Sequence, residues 1–241
     1  LTGTESSWSK QETGKQREPT IVVVRILERL AAVLRRLQER ADAARLSRQL
    51  EAAADYSFTT DYVSSNVSEW GRLLAVYQGQ PAVRMLEIGS YEGRSTLWFL
   101  NSILTHPTSG IVCVDPFIQA SRELRFDHNI GIAGVVEKVT KRKGRSEDLL
   151  AQLPRDSFDI IYVDGSHQAV NVLFDAVSSW FLLKAGGVLI FDDYLWEIDK
   201  PPSERPQPAI DLFLASFEGR YELLSKAYQV ILRKSAPDSN R

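Results

Sequence analysis

An α/β fold built on a mostly parallel sheet is what this sequence predicts, and three observations carry the prediction. From about residue 82 onward, apolar runs of strand length alternate with helical patterns. The first five runs begin about 25 residues apart, which leaves room for a helix in each gap. The runs are nearly continuous in apolar residues, as strands covered on both faces are.

Each element follows in order. Residue 1 is Leu rather than Met, so a processed product or a piece of a longer chain is expected. Residues 1–19 are polar, with Trp8 the one large hydrophobe beyond Leu1, and lack the apolar stretch of a secretory signal; they read as a tail or linker. Val23, Leu27, Leu30, Leu34, Leu37, Ala41 and Ala44 then recur at alternating spacings of four and three, with arginines and glutamates between them. That heptad seam, uninterrupted by Gly or Pro, predicts one long amphipathic helix over 20–54. Its stripe packs on the same subunit, pairs with a second copy in a coiled coil, or docks a neighbouring domain. Residues 55–235 form the α/β domain. Strands are expected at Arg84–Ile88, Ile111–Val114, Val135–Val139, Asp159–Val163 and Gly187–Phe191. Tyr221–Leu224 and Gln229–Arg233, joined by a short Ser-Lys-Ala segment, predict a closing antiparallel hairpin. Residues 236–241 read as a tail.

Composition removes several classes of function. The 241 residues carry 29 basic and 31 acidic side chains, a net charge of −2, which disfavours a protein that coats nucleic acid. The basic cluster Lys138, Lys141, Arg142, Lys143 and Arg145 lacks interleaved aromatics and reads as a solvated loop. No apolar run reaches the ~18 residues of a membrane span. One cysteine, Cys113, excludes an internal disulfide and a cysteine-rich zinc site. His106, His128 and His167 are too scattered for a histidine metal motif.

Ligands of open α/β sheets bind at the carboxyl ends of the strands, so the residues that follow each strand are the ones to read. After the first come Glu87, Gly89, Ser90, Gly93 and Ser95, in a turn whose two glycines let backbone approach a ligand. The spacing is not that of a dinucleotide-binding turn. A carboxylate such as Glu87 beside such a turn suits an amine-bearing ligand or caps the turn's own backbone. After the second strand, Asp115 can accept hydrogen bonds from a ribose diol or shape the turn before Pro116. After the third, Ser146 fits a helix N-cap, with Glu147 beside it. Asp164 and His167 follow the fourth strand, and Asp192 and Asp193 the fifth. Three carboxylates at one sheet edge repel one another unless a cation or a hydrogen-bond network separates them; hard oxygen ligands favour Mg²⁺, Mn²⁺ or Ca²⁺. Imidazole titrates near neutral pH, which suits His167 to proton abstraction or to orienting an aspartate.

Taken together, Glu87-Ile-Gly-Ser-Tyr-Glu-Gly93, Asp115, Val163-Asp-Gly-Ser-His167 and Lys184-Ala-Gly-Gly-Val-Leu-Ile-Phe-Asp-Asp-Tyr194 resemble the class I S-adenosylmethionine-dependent methyltransferases, over about 55–235. The likeness is greatest to metal-dependent small-molecule O-methyltransferases of the catechol and macrolide-sugar type. It extends to uncharacterised bacterial domains that carry Phe58-Thr59-Thr60-Asp61 ahead of the fold. The resemblance implies a Rossmann-like seven-stranded sheet and S-adenosylmethionine as cofactor. Glu87, Gly89, Ser90, Gly93 and Ser95 would then shape its methionine side, Asp115 would hold the ribose, and Ser146 and Glu147 would lie near the adenine. Asp164, Asp192 and Asp193 would hold Mg²⁺ or another divalent ion, with Asp164 also near the cofactor and His167 as general base. The first turn departs from the commoner G-x-G, having Gly89-Ser90-Tyr91. The expected acceptor is a hydroxyl on a small molecule or sugar; Tyr194, Trp196 and the proline-rich stretch to Pro208 wall its pocket or only cross the sheet edge to the next helix. Tyr56, Phe58, Tyr62 and Trp70 cover the pocket from the other side or seal the core. Alternatives are a cofactor-binding assembly module without catalysis, an RNA or cap methyltransferase, and a hydroxylase-like relative using the carboxylates for iron. A cytoplasmic setting is expected.

Overall fold

The computed structural model describes residues 55–236 together with Leu27, 29–31, 33–35, Leu37, Gln38, Ala41, Asp42 and Arg45. The chain divides into two units, residues 1–39 and 40–241. The described positions between 27 and 45 are helical. The length of that helix and its expected coiled-coil pairing, like the tails at 1–19 and beyond 236, lie outside the described residues.

The α/β unit is a single seven-stranded sheet. Its strands are β1 (Arg84–Ile88), β2 (Gly110–Asp115), β3 (Val139–Lys143), β4 (Phe158–Val163), β5 (Leu183–Phe191), β6 (Tyr221–Lys226) and β7 (Val230–Lys234), in the order β3-β2-β1-β4-β5-β7-β6. The first five are parallel; β7 is antiparallel to β5 and β6, so the predicted hairpin is present but inserts its second strand beside β5. The strand order reverses at β1, between β2 and β4. The crevice outside the carboxyl ends of those strands is where such sheets take ligands.

Helices α1 (Val67–Leu73), α2 (Arg94–Ser102), α3 (Ala120–Ile132), α4 (Ser146–Leu149), α5 (Ala169–Leu182) and α6 (Gln207–Ser216) supply the covering layers. Alternation along the strands sorts the core into two halves. Leu86, Ile161 and Phe191 meet Val172, Ala176 and Trp180 of α5 and Phe213 of α6 on one face. Met85, Ile160 and Tyr162 meet Trp70 of α1 and Phe99 of α2 on the other. Trp70 is fully buried, stacks on Phe99 at 4.7 Å and donates its indole N–H to Gln229 Oε1 at 2.8 Å. This aromatic therefore seals the core rather than walling a pocket.

One strand differs from the expectation. Val136–Lys138 forms a 3-10 turn and β3 begins only at Val139. Its residues Val-Thr-Lys-Arg-Lys are polar because β3 is a sheet edge, where charged side chains blunt further pairing. The two apolar valines that suggest a strand sit ahead of it.

Candidate active site

The β1–α2 turn is held by strand-end chemistry. Gly89 has φ +87°, and a Cβ there would stand 2.0 Å from the backbone oxygen of Asp164, so only glycine lets this turn lie against the β4 loop. Gly93, at φ +82°, is the N-cap of α2 and offers no side chain, which leaves the opening N–H groups of the helix uncapped. Asp115 closes the turn from β2: Oδ2 accepts the N–H groups of Ser90 and Tyr91 at 2.9 and 3.0 Å, and Oδ1 that of Phe117 at 2.6 Å.

Glu87 stands behind the turn. Its side chain is fully buried and faces inward, where Ser95 donates to Oε1 at 2.6 Å and Thr96 and Cys113 face Oε2. Burial raises the carboxyl pKa and the hydroxyl donors oppose that rise. Glu87 and Ser95 thus brace the turn from behind. Ser146 also departs from its expected place: it is the first residue of α4, and Arg145 holds the N-cap position without a side-chain cap bond. The Ser146 hydroxyl instead points to Glu147 Oε2 at 3.5 Å. Glu147 is partly exposed beside it.

The loops after β4 and β5 bring Asp164, His167, Asp192 and Asp193 to one cleft, lined also by Phe191 and Ile210. Within it the three aspartates divide into two groups. Asp164 and Asp192 both face the hydroxyl of Tyr162, the first at 3.0 Å. Asp193 faces His167 Nε2 at 2.7 Å through Oδ2 and accepts from the Tyr228 hydroxyl at 2.9 Å through Oδ1. The second Asp192 oxygen accepts the Asp193 N–H at 2.7 Å. As they stand, the three carboxylates do not fit a common ligand shell, and among the described residues no group of three or more His, Cys, Asp and Glu side chains is arranged to hold a metal ion. The structure divides the expected trio into a Tyr162-bridged pair and a separate His167–Asp193 pair.

The electrostatics follow from that division. Desolvation, then the neighbouring carboxylates Asp192 and Asp193, push the Asp164 pKa well above the usual range. Asp192 rises to about 6 for the same reasons, burial first and Asp193 second. Tyr162 is raised well above its ordinary value by burial and the two acids. A phenol has one proton to give, so it cannot donate to both acids; the second contact needs a carboxyl proton given back to the phenol oxygen.

Sequence reasoning missed Tyr162 and Tyr228. The first carried a signal, since residues two apart on a strand share a face and Tyr162 precedes Asp164 by two. The second reaches the site only through the β6–β7 tip, which nothing local announces. Trp196 packs on the His167 ring at 4.0 Å between centroids, with Lys200 over its other neighbourhood at 4.5 Å, so the proline-rich stretch does border the cleft. Four non-glycine residues near these loops have positive φ: Tyr91, Phe117, Asp193 and Glu197. Such conformations persist where surrounding bonds over-determine them, commonly at functional sites. The basic cluster is largely paired: Lys141 with Glu123 and Asp127, and Lys143 with Glu123.

With this geometry in view, residues 86–194 match the methyltransferase-domain family. That match runs from β1 into the loop after β5, the part of the sheet that carries the cleft. The chain is similar in fold to the O-methyltransferase of Bacillus cereus solved in complex with SAH (TM-score 0.60, 22% identity, covering 81% of this chain and 91% of that one). It is also similar to the O-methyltransferase TomG of Streptomyces achromogenes, involved in tomaymycin synthesis and solved with SAM (TM-score 0.58, 20% identity, 80% and 90% covered). Among curated sequences it is 28% identical over 143 residues to the uncharacterized protein R132 of Acanthamoeba polyphaga mimivirus, matching 56% of this chain and 62% of that protein's length. No helix among the described residues is long and apolar enough to cross a membrane.

Proposed function

We propose that this domain transfers a methyl group from S-adenosylmethionine to a hydroxyl of a small molecule or sugar, with His167 as general base. The observation that carries the reading is the His167–Asp193 pair at 2.7 Å, standing in a cleft at the carboxyl edge beside the β1–α2 turn. O-methyltransferases of the same fold, solved with this cofactor or its product, support it.

The residues fit the cofactor. The uncapped N–H groups of α2 and the Gly89–Gly93 turn suit its amino-acid end, with Ser90 shaping the turn. Asp115 would hold the ribose hydroxyls while keeping the turn's N–H groups, since a carboxylate has about four acceptor sites. Ser146 and Glu147 would border the adenine. S-adenosylmethionine, when bound, supplies an electrophilic methyl group. His167 would take the acceptor's proton at Nδ1 while Nε2–H stays bonded to Asp193, which stabilises the imidazolium that forms. Phe191, Ile210 and Trp196 would exclude water around the acceptor.

A second reading keeps a divalent ion, most simply Mg²⁺. The observation favouring it is the mutual repulsion of Asp164 and Asp192, which a cation would relieve. Asp193 would have to leave His167 to complete the set. Methyl transfer from labelled cofactor to a panel of phenols, catechols and sugars, with Mg²⁺ or EDTA, tests both readings. Transfer that survives EDTA supports the His167–Asp193 reading; loss restored by Mg²⁺ supports the ion. Absence of cofactor binding by calorimetry in both conditions overturns the proposal and favours an assembly module.

A further inference from the structure

The turn between β1 and α2 is gripped from two sides, and only one grip comes from the sheet. Asp115 of β2 holds Ser90 and Tyr91. The opposite grip comes from residues 57–61, which precede the first strand by more than twenty positions.

Glu92 makes that second grip. It is only 1% exposed, and it directs both carboxylate oxygens at one residue: Thr59 N–H donates to Oε2 at 2.6 Å and Thr59 Oγ1 to Oε1 at 2.8 Å. Arg125 stands 3.3 Å from Oε1. Asn129 of α3 repeats the connection at Ser57. Its Oδ1 accepts Ser57 N–H at 2.7 Å, and its Nδ2 donates to the carbonyls of Ser57 and Glu92 at 3.1 and 2.8 Å. Arg94, the first residue of α2, lies over the Phe58 ring at 4.4 Å and reaches Asp61 at 3.5 Å.

The far end of this joint touches Tyr91, which the turn holds at φ +48°. Thr59 Oγ1 is 3.2 Å from the Tyr91 hydroxyl, and the Tyr62 ring meets the Tyr91 ring edge-on at 6.3 Å. Burying a carboxylate is costly unless its oxygens are bonded. An apolar contact would hold two segments together at less cost; two directional bonds to a single residue fix their register as well. Such a left-handed tyrosine needs its surroundings to hold it there.

We propose that Glu92 is a positioning residue of the cofactor turn: it registers residues 57–60 against Gly89–Gly93, and the strap so held keeps Tyr91 in the conformation in which the turn receives the cofactor. The inference rests on the S-adenosylmethionine reading above. It concerns a segment outside the sheet and a residue that does not touch the cleft of His167.

Glu92→Gln and Thr59→Val in the full chain test it, with S-adenosylmethionine as the probe. Thr59 is exposed and its replacement is isosteric, so that variant decides the matter if Glu92→Gln fails to fold. Both are expected to raise the Kd and KM for S-adenosylmethionine about five- to tenfold, with kcat within about twofold. Amide exchange should quicken at 57–60 and at 89–93 together. Unchanged affinity in both variants, or a fall in kcat at constant KM, overturns the inference while leaving the cofactor reading intact. An unaltered chain that does not bind S-adenosylmethionine overturns both.

Discussion

His167 and Asp193 meet because two loops, one after β4 and one after β5, end at the same sheet edge and Asp193 adopts φ +58°. His167→Gln keeps a hydrogen-bonding side chain but removes the proposed base. A loss of about 10²- to 10⁴-fold in kcat is expected, with little change in the Kd for S-adenosylmethionine, read by single-turnover transfer of labelled methyl. A second residue-scale prediction concerns Asp175, buried on α5 with Oδ1 unpartnered and its pKa raised from 3.8 to about 6, by burial first. The folded state holds this proton more tightly than the unfolded one. Asp175 therefore costs nothing below about pH 4, and stability is lost as pH rises through about 6. The displacement corresponds to on the order of 3 kcal/mol as an upper figure. Asp175→Asn should unfold at higher urea than the unaltered chain at pH 8, and the gap should close toward pH 4. How much of the site was legible is also a matter of single residues. Asp164, His167, Asp192 and Asp193 stand at strand ends and could be read directly. The inward bonds of Glu87 were not legible, since which way the last strand residues face depends on which hydroxyls lie behind them. Tyr228 and Glu92 act through partners 35 and 33 positions away, separations that no local pattern encodes.

At the scale of elements, the β6–β7 tip joins parts of the molecule that are distant in sequence. Tyr228 reaches Asp193, and its neighbour Gln229 receives the indole N–H of Trp70 from α1. Gln229→Leu leaves that buried N–H without a partner, and a loss of about 1–3 kcal/mol is expected in denaturant unfolding. Strand positions were largely legible because β1, β2, β4 and β5 are apolar on both faces. β3 was displaced in the reading because edge strands carry polar residues that look like loop. The closing hairpin was legible as two antiparallel strands. Its insertion of β7 next to β5 was not, since pairing order is decided by which strand buries both faces: β7 carries three fully buried residues, while β6 is largely exposed.

For the whole molecule, charge is balanced and locally paired, as the Lys141 and Lys143 pairs with α3 show. Thermal unfolding followed with increasing S-adenosylmethionine should shift upward by about 2.7 kcal/mol at a hundredfold excess over Kd, because only the folded sheet edge presents the turn, Asp115 and Ser146 together. No shift at any concentration would contradict the cofactor reading.

The missing Cβ of Gly89 carries a mechanical consequence. Its backbone lies so close to the carbonyl of Asp164 that any side chain at position 89 would push the β1–α2 turn and the loop after β4 apart. Under the proposed function that contact sets the spacing between the donor turn and His167, so an alanine at 89 would displace both at once.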